Sequence, residues 1–407
     1  VKIVFLFFAT FFYDKMSFLL NNKIKKKKIE RRKMKKFNFN YVILIFLVAF
    51  NLRLGISSVP PIQTIIQESL RLSNFQVSLL VGIPVVCMGI FAFLVSKVQA
   101  KFGRQKSILW LLILLGISTI GRLFVTGYVF LLVTTFCIGF AIAIIGPLLS
   151  GFIKEEFSEY SSILVGVYSF AMGVGSLIVS SFTKAITISV NWKFGLGIWG
   201  ILTIIAAVIW QIFSPKEEHS IIEEENQEKI VLNDFNIWKM IIFFSVQSGI
   251  FYGISTWLVP FLENKNVDKS QVIMLLTVFV AAQMLFGFVI PLVMHKIGSI
   301  RKWTITSSLC LVIGCIIPLV MPVNIFSTIV FIMLMSIGLG GSFPIAMILP
   351  LKYAKTANEA SVVTSVVQAF GYIIGGIIPV FFGYIVDSTK NFNNLFVQMA
   401  VGSVILL

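Results

Sequence analysis

Arg53 is the residue of this sequence whose type and position most invite a chemical role. It follows Tyr41 by 12 residues in an apolar run, which is roughly 18 Å along a helix. That depth is near the middle of a hydrocarbon core about 30 Å thick. A central Arg costs roughly 2.5–3.5 kcal/mol on insertion scales. No acid offsets this cost: all seventeen Asp and Glu fall in loops, in the N-terminal tail or at the ends of apolar runs. The two histidines, His219 and His295, also lie outside the run centres. An unpaired guanidinium at this depth is expected to face a water-filled cavity and to offer its planar donors to an anionic or polar solute. The competing reading has Arg53 held by backbone carbonyls of neighbouring helices.

Other polar residues fall in similar runs. Arg122 lies near the end of its run and is expected to snorkel to the interface. Asn51 and Ser57 flank Arg53, a later run offers Gln247, Ser248 and Tyr252, and another offers Gln368 and Tyr372. These seven can orient a small solute by hydrogen bonds, or can join helices to one another. Gly338, Gly340, Gly341 and Pro344, together with Gly371 and Gly375, read as close-packing and bending positions that would serve gating. Gly103 and Arg104 form a short basic turn. Cys87, Cys137, Cys310 and Cys315 lack CxxC spacing and read as small apolar residues. Neither HExxH nor a paired-carboxylate site occurs inside a run, so a membrane enzyme is disfavoured and no cofactor or metal is called for.

The elements that must position these residues follow from composition. The 407 residues are 57% hydrophobic and 12% charged, and mean hydropathy is +0.96. Soluble chains carry about 25% charged residues, so a water-soluble globular protein is excluded. Continuous apolar runs fall near 38–60, 75–97, 107–126, 128–151, 161–184, 192–213, 238–261, 270–294, 303–322, 325–350, 360–384 and 394–407. Runs that are continuous rather than alternating specify helices, not barrel strands. The expected fold is all-α and membrane-integral, with twelve spans.

Charge sets the orientation. The net charge is +16, of which residues 1–36 supply +10. That basic block directly precedes the first span and reads as a cytoplasmic flank, not a nucleic-acid patch. With the N-terminus inside, inner loops carry 13 Lys/Arg and outer loops 7, Lys184 among the latter. Both termini are therefore expected in the cytoplasm. Residues 1–37 form a basic tail, of which the first 33 read as upstream translation ahead of a start at Met34. The last run, 394–407, is too short to cross and reads as truncated.

Residues 214–236 are acidic and polar and read as a cytoplasmic linker between a bundle at 38–213 and a second at 237–407. The two halves share a pattern. Gly55-Ile56-Ser57 returns as Gly253-Ile254-Ser255, Gly139 matches Gly338, Gly173 matches Gly371 and Gly103 matches Gly298. Such offsets suggest a duplicated six-span unit.

The Gly103-Arg104-Gln105-Lys106 turn, the twelve spans and the acidic central loop resemble the major facilitator superfamily. Ala100 stands where the family turn normally carries Asp. The resemblance is closer to the cyanate permease and nitroimidazole exporter branch. It rests on Asn51-Leu52-Arg53 with Ser57-Ser58-Val59-Pro60, on Ile83-Pro84-Val85-Val86 with Met88-Gly89, and on Gln247-Ser248, Tyr252 and Trp257-Leu258. It continues in Gly338-Leu339-Gly340-Gly341 with Phe343-Pro344, and in Gln368 with Gly371-Tyr372.

It implies two pseudo-repeated six-helix bundles that rock about a central site lined by spans 1, 4, 7 and 10. The function expected is secondary transport of a small anionic or polar solute, cyanate-like or nitroimidazole-like, by a monomer in the plasma membrane. Moving an anion inward against an inside-negative potential costs about 2.3 kcal/mol per 100 mV. Accumulation then needs a coupling proton, which would ride on the solute because no buried acid or His is available. The alternative is efflux of neutral drugs on the same fold; cationic drugs would want a buried acid.

Overall fold

The computed structural model describes residues 39–157, 161–214, 234–297, 299–354 and 357–407. The expected basic tail, 1–37, and nearly all of the expected linker, 214–236, lie outside these residues. The described residues form helices and no strands. Eleven are long and apolar enough to cross a membrane: α1 Asn40–Leu70, α2 Asn74–Phe102, α3 Arg104–Phe124, α4 Tyr128–Lys154, α5 Leu164–Ser189, α6 Trp192–Phe213, α7 Phe235–Asn264, α8 Lys269–Pro291, α9 Ile300–Val320, α10 Ile325–Pro350 and α11 Val362–Thr389. A shorter apolar helix, α12, runs Asn393–Ile405. They follow the expected spans one for one.

Local chemistry sets the starts. Ser73 caps α2 reciprocally with Gln76, in bonds of 3.1 and 2.9 Å. Asn191 accepts from the Phe194 N–H at 2.8 Å to start α6, and Asn324 accepts from Ser327 at 2.9 Å to start α10. Gly103 joins α2 to α3 in a single residue with φ of 77°, a conformation open to glycine.

α1 is interrupted. Its first segment ends at Ser57, before a 3₁₀ turn at Pro60–Ile62, and Gln63–Leu70 continues beyond. Two successive prolines lack the N–H groups that would carry the helix on.

The exterior is apolar: Trp110, Phe124, Val129 and Phe326 are among the exposed side chains, as a lipid-facing surface requires. Inside, Trp257, Phe261, Phe279, Phe331 and Phe396 join α7, α8, α10 and α12 in one core. Phe396 sets its ring against Phe261 and Phe331, at centroid separations of 4.6 and 5.5 Å.

The two bundles meet along α2 with α11 and α5 with α8. A Cβ on Gly82 would lie 2.7 Å from the Gly376 carbonyl oxygen, so only glycine permits this approach. The end of the molecule carrying Glu263 is closed by polar bonds between bundles. Asp387 of α11 accepts from the Asn74 and Phe75 backbone N–H groups at 3.0 and 2.9 Å, and from the Asn74 amide at 2.9 Å. Lys184 of α5 meets Glu263 of α7 at 2.8 Å. The Ser181 and Thr277 hydroxyls share a hydrogen bond of 3.2 Å. At the opposite end, carrying Gly103, the last turns of α2 pack on α3 and α4 of their own bundle, and Phe93 and Phe102 are exposed.

Lys184 corrects the sequence reading. It was expected in an outer loop but lies within α5, fully buried and paired. The helix runs on to Ser189, and the carboxylate of Glu263 offsets part of the cost of burying the cation.

Candidate functional site

Arg53 sits in the middle of α1, partly exposed, in the first segment and four residues before the helix stops. Its guanidinium lies beside the Tyr252 hydroxyl on α7 and near Tyr372 on α11 and Tyr168 on α5. The Tyr168 hydroxyl also borders Gly146 of α4, 3.4 Å from where a Cβ would sit. Tyr252 is buried; Tyr168 and Tyr372 are partly exposed. The Tyr372 ring stands edge-on to Phe244, with centroids 5.1 Å apart. Helices of both bundles thus bring one guanidinium and three phenols together. No described carboxylate joins them; Glu263 meets Lys184 instead, at the closed end.

The other expected residues divide. Ser248 lies one turn from Tyr252, and its hydroxyl donates to Gln247 at 3.5 Å; both are buried. Gln368 lies one turn from Tyr372 on α11 and donates to the Met347 sulfur at 3.2 Å. Both pairs extend from the tyrosines toward the Gly103 end, since α7 and α11 start there. Asn51 turns elsewhere: its amide nitrogen donates to the Leu47 carbonyl at 2.8 Å and its oxygen accepts from Thr203 of α6 at 2.9 Å. Ser57 shares a hydrogen bond of 3.2 Å with Ser176 of α5.

The glycines face neighbouring helices. Gly338 and Gly341 lie against Ser307 of α9, Gly340 against Phe286 and Gly287 of α8, and Gly371 and Gly375 against Phe244 and Ser248 of α7. Pro344 is partly exposed within α10. Arg104 follows the Gly103 turn and packs on Gly151 of α4, its guanidinium nitrogen 3.2 Å from where a Cβ would lie.

Arg122 is the second correction. It does not reach the interface: it is fully buried, donating to the Gly55 carbonyl at 2.7 Å and to the Thr135 hydroxyl at 3.1 Å. Snorkelling lost because the break in α1 leaves a carbonyl in need of a donor. Sequence reasoning also missed Tyr168, the Lys184–Glu263 pair and Gln63, a fully buried amide just past the break with no protein hydrogen-bond partner. Tyr168 carried a signal, a polar hydroxyl inside an apolar span. Pairing between α5 and α7 carried none.

Such a site is rich in donors. A guanidinium offers two parallel N–H bonds to a planar acceptor, and phenols can turn their O–H toward it. Among the described residues no group of His, Cys, Asp and Glu is arranged to hold a metal.

Residues 45–407 match the Major Facilitator Superfamily, and the chain belongs to that family. It is similar to the Uncharacterized transporter YycB of Bacillus subtilis, 25% identical over 89% of this chain and 90% of that one. It is also similar to two Escherichia coli proteins. One is the 2-nitroimidazole transporter, 22% identical over 90% of this chain and 94% of the other. The second is the cyanate transport protein CynX, 23% identical over 86% and 91%. In fold it matches a bacterial homologue of the human lysosomal transporter Spinster, solved inward-facing and unoccupied, with TM-score 0.74, 14% identity and coverage of 92% and 96%. The chain is a multi-pass membrane transporter of small solutes.

Proposed function

We propose that this transporter carries a small anion or acceptor-rich polar solute, cyanate-like or nitroimidazole-like, with Arg53 as the anchor. The observation that carries this reading is the guanidinium facing Tyr168, Tyr252 and Tyr372 with no described carboxylate beside it. Its charge is solvated by neutral hydroxyls and remains available to a ligand. Gln247, Ser248 and Gln368 extend the polar lining toward the Gly103 end. The polar bonds at the Glu263 end close that side, so the partly exposed Arg53 is reached from the Gly103 end.

The excess of basic residues in the loops at the Gly103 end supports a cytoplasmic position for it, with both termini on that side of the cell membrane. The protein works as a monomer of two bundles, 38–213 and 237–407, joined by the linker at 214–236. Alternating access would break the bonds at the Glu263 end and form others at the Gly103 end. A coupling proton rides on the solute.

The test is flux of labelled cyanate and labelled 2-nitroimidazole in proteoliposomes, with and without a pH gradient, for wild type and Arg53→Gln. Saturable flux that is lost in Arg53→Gln supports the reading, and its response to the gradient reports coupling. Flux indifferent to Arg53 refutes the anchor. Wild-type flux of neutral drugs, with neither labelled solute carried, would favour efflux of neutral compounds instead.

A further inference from the structure

The break in α1 leaves a carbonyl that its own helix does not satisfy. In an unbroken helix Gly55 would accept from the N–H of Val59. Pro60 has no N–H to give Ile56, and the Val59 N–H turns to the Ile56 carbonyl instead, at 3.3 Å. The Ser58 hydroxyl reaches the Gly55 oxygen only at 3.3 Å.

Arg122 fills the gap from α3. One guanidinium nitrogen donates to the Gly55 oxygen at 2.7 Å and another to Thr135 of α4 at 3.1 Å. The Thr135 hydroxyl spends its own proton on the Leu131 carbonyl at 2.7 Å, which leaves its lone pairs for Arg122. The two terminal guanidinium nitrogens are thus engaged while the buried Nε has no partner, and α3 and α4 together grip the last turn of the first α1 segment. The fork of a guanidinium suits this task, since it bonds two elements in a fixed geometry.

Gly55 stands two residues past Arg53, about 3 Å along the helix. Past the break, Pro60–Ile62 packs on α5 and α7, and Gln63–Leu70 packs on α7. The gripped carbonyl lies between the candidate site and the segment that reaches into the other bundle.

We propose that Arg122 is a positioning residue of the solute site. By holding the Gly55 carbonyl it fixes where the first segment of α1 ends, and so the height and direction of Arg53 relative to Tyr168, Tyr252 and Tyr372. The cation acts through Arg53 and does not touch the solute.

The test uses the full chain, purified and reconstituted, as wild type, Arg122→Lys, Arg122→Met and Thr135→Val. Phenylglyoxal modifies accessible arginines, and peptide mass spectrometry reads its rate at Arg53. Arg122→Met is expected to change that rate several-fold while helical content and monodispersity stay as in wild type. Arg122→Lys, which still reaches the carbonyl, is expected to restore most of the rate, and Thr135→Val to fall between. Cyanate flux, where carried, is expected to show a raised KM with Vmax retained. An unchanged Arg53 rate in folded Arg122→Met overturns the proposal. If Arg122→Met does not fold, an unchanged rate in Thr135→Val overturns it. The labelling needs no transported solute, so a wrong substrate assignment leaves this test intact.

Discussion

Arg53 and Lys184 are both cations inside the helical spans, and their surroundings differ in kind. Lys184, at the closed end, meets the Glu263 carboxylate at 2.8 Å and is fully buried. Arg53, at the centre, has tyrosine hydroxyls beside it and no carboxylate among the described residues, and is partly exposed. Arg122 stands between them, with neutral partners like Arg53 but sealed like Lys184. A cation neutralised by a carboxylate holds structure together. A cation left with neutral partners and open space keeps an electrostatic pull that a passing anion can use. Exposure, not charge, separates Arg53 from Arg122.

The sharpest way to break this comparison is Arg53→Gln. Solute transport is expected to fall about 100-fold, equivalent to about 2.7 kcal/mol. Thermal unfolding should barely move, because no paired partner is orphaned. A large drop in melting temperature with transport retained would reverse the roles assigned here.

Glu263→Gln attacks the other side. It leaves Lys184 buried without its carboxylate, which should weaken the closed Glu263 end by about 1–3 kcal/mol, less than for a fully enclosed pair because Glu263 is partly exposed. Labelling of a Ser181→Cys reporter with a membrane-impermeant thiol reagent should accelerate. The double variant Lys184→Met with Glu263→Leu should return close to wild type, as replacement of a whole buried pair often does. Labelling that ignores Glu263→Gln would show that the pair does not latch this end.

Asp387→Asn is milder. Its one amide oxygen can replace only one of the two accepting carboxylate oxygens at the start of α2 and the charge is lost, with an expected loss of about 1 kcal/mol. Differential scanning fluorimetry in detergent checks it.

The smallest effect concerns Asp234, the cap of α7. Hydrogen bonds from Tyr353 and from the Asn236 N–H hold its carboxyl below the ordinary value of 3.8. A depressed folded value stabilises at higher pH and is lost as pH falls through it. Asp234→Asn should therefore lower stability slightly at neutral pH, where the ionised carboxylate contributes, and converge with wild type as pH falls below 3.8, flattening the acid limb.

Much of this was legible in advance. Apolar runs of bilayer length placed all twelve helices, because a chain in lipid must satisfy its backbone within each span. Arg53 was legible because a lone cation in the apolar run 38–60 has few inexpensive explanations. Tyr252 and Tyr372 were found as polar residues in spans, and the structure brings both to Arg53. Asn51 was equally visible as a type, yet it bonds Thr203 of α6. Residue type and position along the helix were readable for all of them; direction around the helix was not.

What the sequence determined by itself is whatever depends on local composition: helix positions, the break at Pro60-Pro61, the turn at Gly103 and the depth of Arg53. What only the tertiary structure decided is which partners meet. Lys184 finds Glu263 across 79 residues, Arg122 finds Gly55 across 67, and Asp387 finds the start of α2 across more than 300. Each of these bonds depends on how one helix is rotated against another. Rotation is set by close packing at contacts such as Gly82 with Gly376, summed over a whole interface, and no single segment of the chain carries that information.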